Sequence, residues 1–163
     1  MPRRHHSTPR SDFAVRVSVV GGSVVPDPVE SIAEDLGRLL AQRGHTVVCG
    51  GLGGVMKAAC RGAKDAGGTT IGVLPGEDRE DANAYVDIPI ATGLGHARNA
   101  LVAMNGDAVI AVDGGGGTLS EIGYANVFDR PTAGIRTQQV GSLEGFEPCD
   151  SPEAAVAFVE DAV

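Results

Sequence analysis

From Ala14 onward, short β-branched runs alternate with longer stretches of helical periodicity, and glycines gather where a strand gives way to the next helix. Such alternation is the mark of an α/β chain, in which repeated strand–helix units build an open parallel sheet with helices on both faces. Strands are expected at Val15 to Val20, Thr46 to Cys49, Thr70 to Leu74, Val86 to Ile90 and Ala108 to Val112, with a sixth at Thr132 to Ile135. Parallel neighbours need crossover helices. The first is expected at Val29 to Arg43, where Val29, Ile32, Ala33, Leu36, Leu39 and Leu40 share one apolar face and Gly44 follows the end. Others are expected at Gly54 to Ala66, His96 to Asn105, Thr118 to Phe128 and Pro152 to Ala162. Pro75 to Tyr85 has no apolar periodicity and reads as an exposed loop, either a solvated turn or a flap over a ligand.

At 163 residues there is room for one domain. We assign it residues 13–163, with residues 1–12 as a disordered tail in which His5 and His6 are solvated. A hydrophobic fraction of 42% with 21% charged residues excludes a disordered chain. No apolar run approaches the roughly 18 residues of a membrane-spanning helix, so no membrane partner is expected. The formal charge is −8, and because Arg3, Arg4 and Arg10 face only Asp12 in the tail, the body carries more negative charge still. An acidic body disfavours nucleic acid as a partner, while a local pocket for one small anion remains compatible with it. Lys57 and Lys64 are the only lysines. That bias suits a high-salt cytoplasm, and genomic base composition would produce it equally. Cys49, Cys60 and Cys149 form no CxxC motif. We therefore expect no metal site, and a reducing, cytoplasmic location.

The glycine clusters point to chemistry. Gly21 and Gly22, with Ser23, follow the first strand; Gly50, Gly51, Gly53 and Gly54 the second; Gly93 and Gly95 the fourth; and Gly114, Gly115, Gly116 and Gly117 the fifth. In open parallel sheets, ligands settle at the carboxyl ends of the strands. A helix start there offers free N–H groups and a positive dipole end to an anion. A phosphate-bearing ligand is the expectation. The dinucleotide fingerprint GxGxxG with a later acidic residue is absent, as is GxxxxGK, which makes NAD and P-loop ATP chemistry poor readings.

The most specific stretch is AVDGGGGTLSEIGYA, Ala111 to Ala125, in which Gly114, Gly115, Gly117, Thr118 and Glu121 make a GGxGTxxE string. With GGLGGVM (Gly50 to Met56) and GHARN (Gly95 to Asn99), it resembles the LOG family, often labelled lysine-decarboxylase-like, whose signature is PGGxGTxxE. The resemblance covers about Val15 to Pro131. It implies a single Rossmann-like domain that binds a nucleoside 5′-monophosphate or a similar compound, as a homodimer or homotetramer. It does not imply lysine decarboxylation: the pyridoxal phosphate this needs would require an anchoring lysine, and neither Lys57 nor Lys64 has a fitting setting. Family enzymes that release the base from cytokinin nucleotides use an Arg and the motif's Glu, which by position are Arg98 and Glu121. A carboxylate can stabilise the positive charge of a breaking N-ribosidic bond, and an Arg can hold phosphate. Thr118 and Glu121 also spell a capping box, a purely structural explanation for Glu121.

Two departures alter the charge of the site. Asp113 takes the Pro position of the signature, and Asn99 stands where the base-releasing enzymes carry Lys. The short form with LPGED and GHARN more closely resembles the branch containing molybdenum cofactor carrier proteins, which hold a phosphate-bearing pterin without consuming it. Asn83, Tyr85 and the acidic loop are candidates to border such a ligand. Three readings stand: a carrier of molybdenum cofactor or a nucleotide that requires no cofactor of its own, a nucleoside 5′-monophosphate phosphoribohydrolase, and a scaffold whose interface uses the His96 to Asn105 helix.

Overall fold

The computed structural model of the protein describes residues 14–141 and 143–163; the expected tail, residues 1–12, lies outside them. In chain order the strands are β1 (Arg16–Gly21), β2 (Thr46–Cys49), β3 (Thr70–Leu74), β4 (Ile88–Ala91), β5 (Ala108–Val112), β6 (Thr132–Ile135) and β7 (Phe146–Cys149). The helices are α1 (Asp27–Gln42), α2 (Val55–Asp65), α3 (Arg98–Asn105), α4 (Gly116–Val127) and α5 (Pro152–Ala162). The strands form one parallel sheet in the order β4-β3-β2-β1-β5-β6-β7. This is the expected Rossmann-like α/β architecture.

The central strands are apolar on both faces because both faces are covered. On β5, Ala108, Ile110 and Val112 join a cluster with α1, α2 and α5, while Val109 and Ala111 join another with α3 and α4. Full burial of side chains such as Leu36, Leu40 and Ile110 stabilises the fold by about 1.5–3 kcal/mol each. Helices α1 and α2 approach backbone to backbone through Gly37 and Gly62. A Cβ on Gly37 would collide with the Ala59 carbonyl, and one on Gly62 with the Glu34 carbonyl.

Helix α5 is tied down by a buried histidine. The Val15 amide donates to His45 Nδ1 (3.3 Å), so the imidazole proton sits on Nε2, which donates to Glu160 Oε2 at 2.9 Å. Arg43 completes the link with Nη2 at 2.7 Å from Glu160 Oε1.

Three expectations need correction. Strand β4 starts at Ile88 rather than Val86, because Val86 packs instead against Cys49 and Cys60. Strand β7, Phe-Glu-Pro-Cys, was not anticipated: it is a half-exposed edge strand with neither a β-branched run nor alternation. The capping box does not form. Helix α4 begins at Gly116 with Gly115 as its cap and no side-chain capping bond, which puts Thr118 inside the first turn.

Candidate anion-binding site

The chain runs from β1 outward through β2 and β3 to β4, then resumes on the other flank of β1 with β5. The strand order therefore reverses between β1 and β5. At their carboxyl ends a crevice opens, where ligands of such sheets bind. A hollow of about 290 Å³ lies there. Two larger hollows of about 460 Å³ each sit at the opposite, amino edge of the sheet, flanking Arg130, where this fold does not place ligands.

Several expected residues meet in the crevice. Gly21, Gly22 and Ser23 arrive from β1, Gly115, Gly117 and Thr118 from the start of α4, and Arg98 and Glu121 from α3 and α4. The first-turn amides of α4 thus open beside the hollow, as anion binding at a helix N-terminus requires. Gly114 makes this turn possible. Its φ is +107°, and any Cβ there would collide with Thr118.

The second glycine run does not line the hollow; it supports the first. Gly54 packs against Gly22 and Ser23, and the amide of Val55 donates to the Gly22 carbonyl at 3.0 Å. Gly53 likewise faces the Ser23 carbonyl, and Gly51 accepts from the Asn83 amide at 2.9 Å. Gly50 stands behind Arg98. Gly116 faces a neighbouring depression with Ser120 and Tyr124. Gly93 and Gly95 end the edge strand β4 and secure its loop, the Gly95 amide donating to the Pro75 carbonyl at 2.9 Å. The Pro75 to Tyr85 loop is tied at one point, Asn83 Nδ2 donating to the Leu52 carbonyl at 2.9 Å. Neither Asn83 nor Tyr85 borders the hollow.

Arg98 is only 8% exposed, and its guanidinium is under-supplied with acceptors. Nη1 donates to Asn99 Oδ1 and Nη2 donates to the Gly50 carbonyl at 3.4 Å, while Nε is buried without a partner among the described residues. Burial pulls the guanidinium below its ordinary value, against the attraction of Glu121. Arginine nonetheless stays cationic. An anion in the hollow would relieve this deficit.

Glu121 is 7% exposed, and among the described residues it has neither a hydrogen bond nor an ion pair. Burial pushes its carboxyl up to about 8, opposed by Arg98. The hollow therefore holds a cation beside a carboxyl whose protonated form is favoured by burial.

Sequence reasoning carried over the glycines of GGLGGVM but missed Leu52 and Met56, which give the hollow an apolar wall. It also treated Asn99 only as a lost charge. In the structure Asn99 links the two helix starts: its Oδ1 accepts from Arg98, its Nδ2 donates to Ser120 Oγ at 3.1 Å, and Ser120 donates to the Gly117 carbonyl at 2.6 Å. Asp113 does not line the hollow. Its φ of +53° and its amide bond to the Ile135 carbonyl (2.9 Å) are both closed to proline, so the substitution alters the turn rather than the pocket's charge. Among the described residues no cluster of His, Cys, Asp and Glu could hold a metal, and no helix is long and apolar enough to cross a membrane.

Known proteins share this arrangement. The molybdenum cofactor binding protein of the phototrophic bacterium Rippkaea orientalis superposes with a TM-score of 0.85 at 33% identity, over 91% of this chain and 97% of that one. The molybdenum cofactor carrier protein of Chlamydomonas reinhardtii gives 0.84 at 35% identity, over 91% and 97%. The cytokinin riboside 5′-monophosphate phosphoribohydrolase of Rhodococcoides fascians is 37% identical over 55% of this chain, which spans only 48% of that enzyme. The SLOG cluster4 family profile matches residues 14–157, and the chain belongs to that family.

Proposed function

We propose that this protein binds a phosphate-bearing, nucleotide-like small molecule, molybdenum cofactor or a nucleotide, and carries it without consuming it. The observation that supports this most is the pairing, in one hollow, of a buried and under-satisfied Arg98 with a Glu121 carboxyl raised to about 8. A cation beside a neutral acid receives a phosphate without repulsion, and the acid can donate a hydrogen bond to it. The same pair is poorly suited to cleavage of an N-ribosidic bond at neutral pH, where an ionised carboxylate would have to stabilise the charge developing on the sugar. Coverage of nearly the whole length of the carrier proteins supports the same choice.

In this reading the α4 amides and Arg98 hold the phosphate, and Leu52 and Met56 offer apolar surface to the rest of the ligand. Residues 13–163 act as one binding domain. Assembly as a homodimer or homotetramer belongs to the proposal, since Leu119, Tyr124 and Val127 leave apolar surface on α4.

The second reading is a phosphoribohydrolase, favoured by the meeting of Arg98 and Glu121 in one hollow. Incubation with AMP separates the two. Saturable binding by calorimetry with no free adenine on chromatography supports the carrier. Release of adenine and ribose 5-phosphate, abolished by Glu121→Gln, establishes the enzyme. If neither AMP nor the phosphorylated pterin raises the melting temperature, at low or at multimolar salt, the scaffold reading takes their place.

A further inference from the structure

Behind the hollow lies a pair of thiols that the proposed function does not use. Cys49 ends β2 and Cys60 sits on α2; both are fully buried, and their sulfurs are 3.5 Å apart. Met56, which walls the hollow, packs in the same small cluster.

The two sulfurs are not equivalent. Cys49 Sγ faces the Cys60 thiol and accepts from the Gly51 amide at 3.3 Å, and its neighbour Gly50 carries the Arg98 guanidinium. The Cys60 hydrogen bond, then the Gly51 amide and the Arg98 charge, hold the Cys49 thiol below its ordinary value against the cost of burial. Hydrogen bonding to Cys49 and burial push Cys60 up. The pair is closed to solvent, so Cys49, the thiol shifted toward the thiolate, attacks only an oxidant small enough to enter the core, with Cys60 as the resolving thiol.

We propose that Cys49 and Cys60 form a peroxide-driven disulfide switch that controls the affinity of the neighbouring hollow by moving the seat of Arg98. The control of affinity rests on the phosphate-binding reading above; the disulfide itself does not. In the first step the Cys49 thiolate attacks one oxygen of hydrogen peroxide, forming an S–O bond as the O–O bond breaks and hydroxide leaves. Cys60 Sγ then attacks the Cys49 sulfur, the S–S bond forms, and the displaced hydroxyl leaves as water with the Cys60 proton. The two electrons lost by the thiol pair reduce the peroxide.

Closure requires the sulfurs to come from 3.5 Å to the roughly 2.05 Å of a disulfide. That movement draws the end of β2 toward α2 and takes the Cys49 acceptor from the Gly51 amide. Gly50 lies directly against these side chains: even a methyl group there would stand 2.7 Å from both Arg98 Nη2 and Met56 Sδ, so a shift at Cys49 moves the guanidinium with it.

The test treats the full chain with hydrogen peroxide. The expected result is a loss of two hydrogens in intact mass and a fall in thiols titratable under denaturing conditions from the three of the sequence to Cys149 alone. AMP affinity, by calorimetry, should fall by about tenfold and recover with dithiothreitol. Linkage requires that saturating AMP shift the thiol–disulfide equilibrium in a glutathione buffer toward the thiols by the same factor. Cys149→Ser should keep the whole response, and Cys60→Ala should lose it. An unchanged thiol count, a disulfide joining two chains through Cys149, or a closed disulfide with unaltered AMP affinity would each overturn the switch. Reduced protein that binds no AMP defeats the phosphate-binding reading and the control of affinity with it, while mass and thiol count still decide the disulfide.

Discussion

The Arg98 guanidinium occupies the space that a side chain at Gly50 would take: a Cβ there would lie 2.7 Å from Nη2 and 3.0 Å from Cζ. The glycine after β2 thus serves the site without lining it, by letting a buried cation lie against the strand end and donate to the Gly50 carbonyl.

Gly50→Ala should therefore separate binding from stability. The clashing atoms are the far ends of the Arg98 and Met56 side chains, which can move. Denaturant unfolding should show a loss of about 1 kcal/mol. AMP affinity should fall by more than that, since the guanidinium is displaced, and calorimetry measures it. Equal losses in the two measurements would mean that Arg98 does not hold the ligand.

Arg98→Lys should bind poorly although it keeps the positive charge. A lysine ammonium cannot present a planar fork to the phosphate while also reaching Gly50 and Asn99. Loss of charged hydrogen bonds of about 1.5–3 kcal/mol predicts AMP affinity reduced by one to two orders of magnitude in calorimetric titration.

Glu121 sets a pH dependence of known sign. Its folded-state value, about 8, lies above the ordinary 4.5, so its contribution to stability is fully present below 4.5 and is lost as pH rises through 8. The melting temperature of the wild type should fall over that window relative to Glu121→Gln. Ionisation also places a negative charge beside the bound phosphate, whose own second ionisation is nearly complete above about pH 7. AMP binding should weaken by about tenfold between about pH 7 and about pH 9, and Glu121→Gln should flatten that profile.

Gly62→Ala tests the contact between α1 and α2. Here the obstacle is backbone, the Glu34 carbonyl and, at 3.0 Å, the Arg38 amide nitrogen. Neither can move without separating the helices. Chemical denaturation should show a cost of about 3 kcal/mol, well above that of Gly50→Ala, and the folded fraction should keep its affinity for AMP.

Much of this protein was legible in its sequence because its central strands are buried on both faces. Such strands are apolar runs with many β-branched residues, and β2, β3 and β5 stand where those runs stand. The edge strand β7 left no such trace, since a strand with one neighbour and half its surface in water needs no apolar run. The family resemblance named Arg98 and Glu121, and the glycine spacing predicted clustered turns, but the same string also spelled a capping box that the fold does not use. The glycine run let α4 start earlier, at Gly116, and the buried crevice claimed Glu121.

The amino-acid order by itself determined the central strands and the helices, their parallel arrangement and the residue types available to an anion, because these follow from periodicity and turn chemistry within a few neighbours. Tertiary structure decided which glycines line the hollow and which seat Arg98, that Asn99 joins two helix starts, that burial raises the Glu121 carboxyl, and that Cys49 meets Cys60. Each of these depends on desolvation and on contacts between segments distant in the chain, which are fixed only when β1 and β5 come together and the helices close over them.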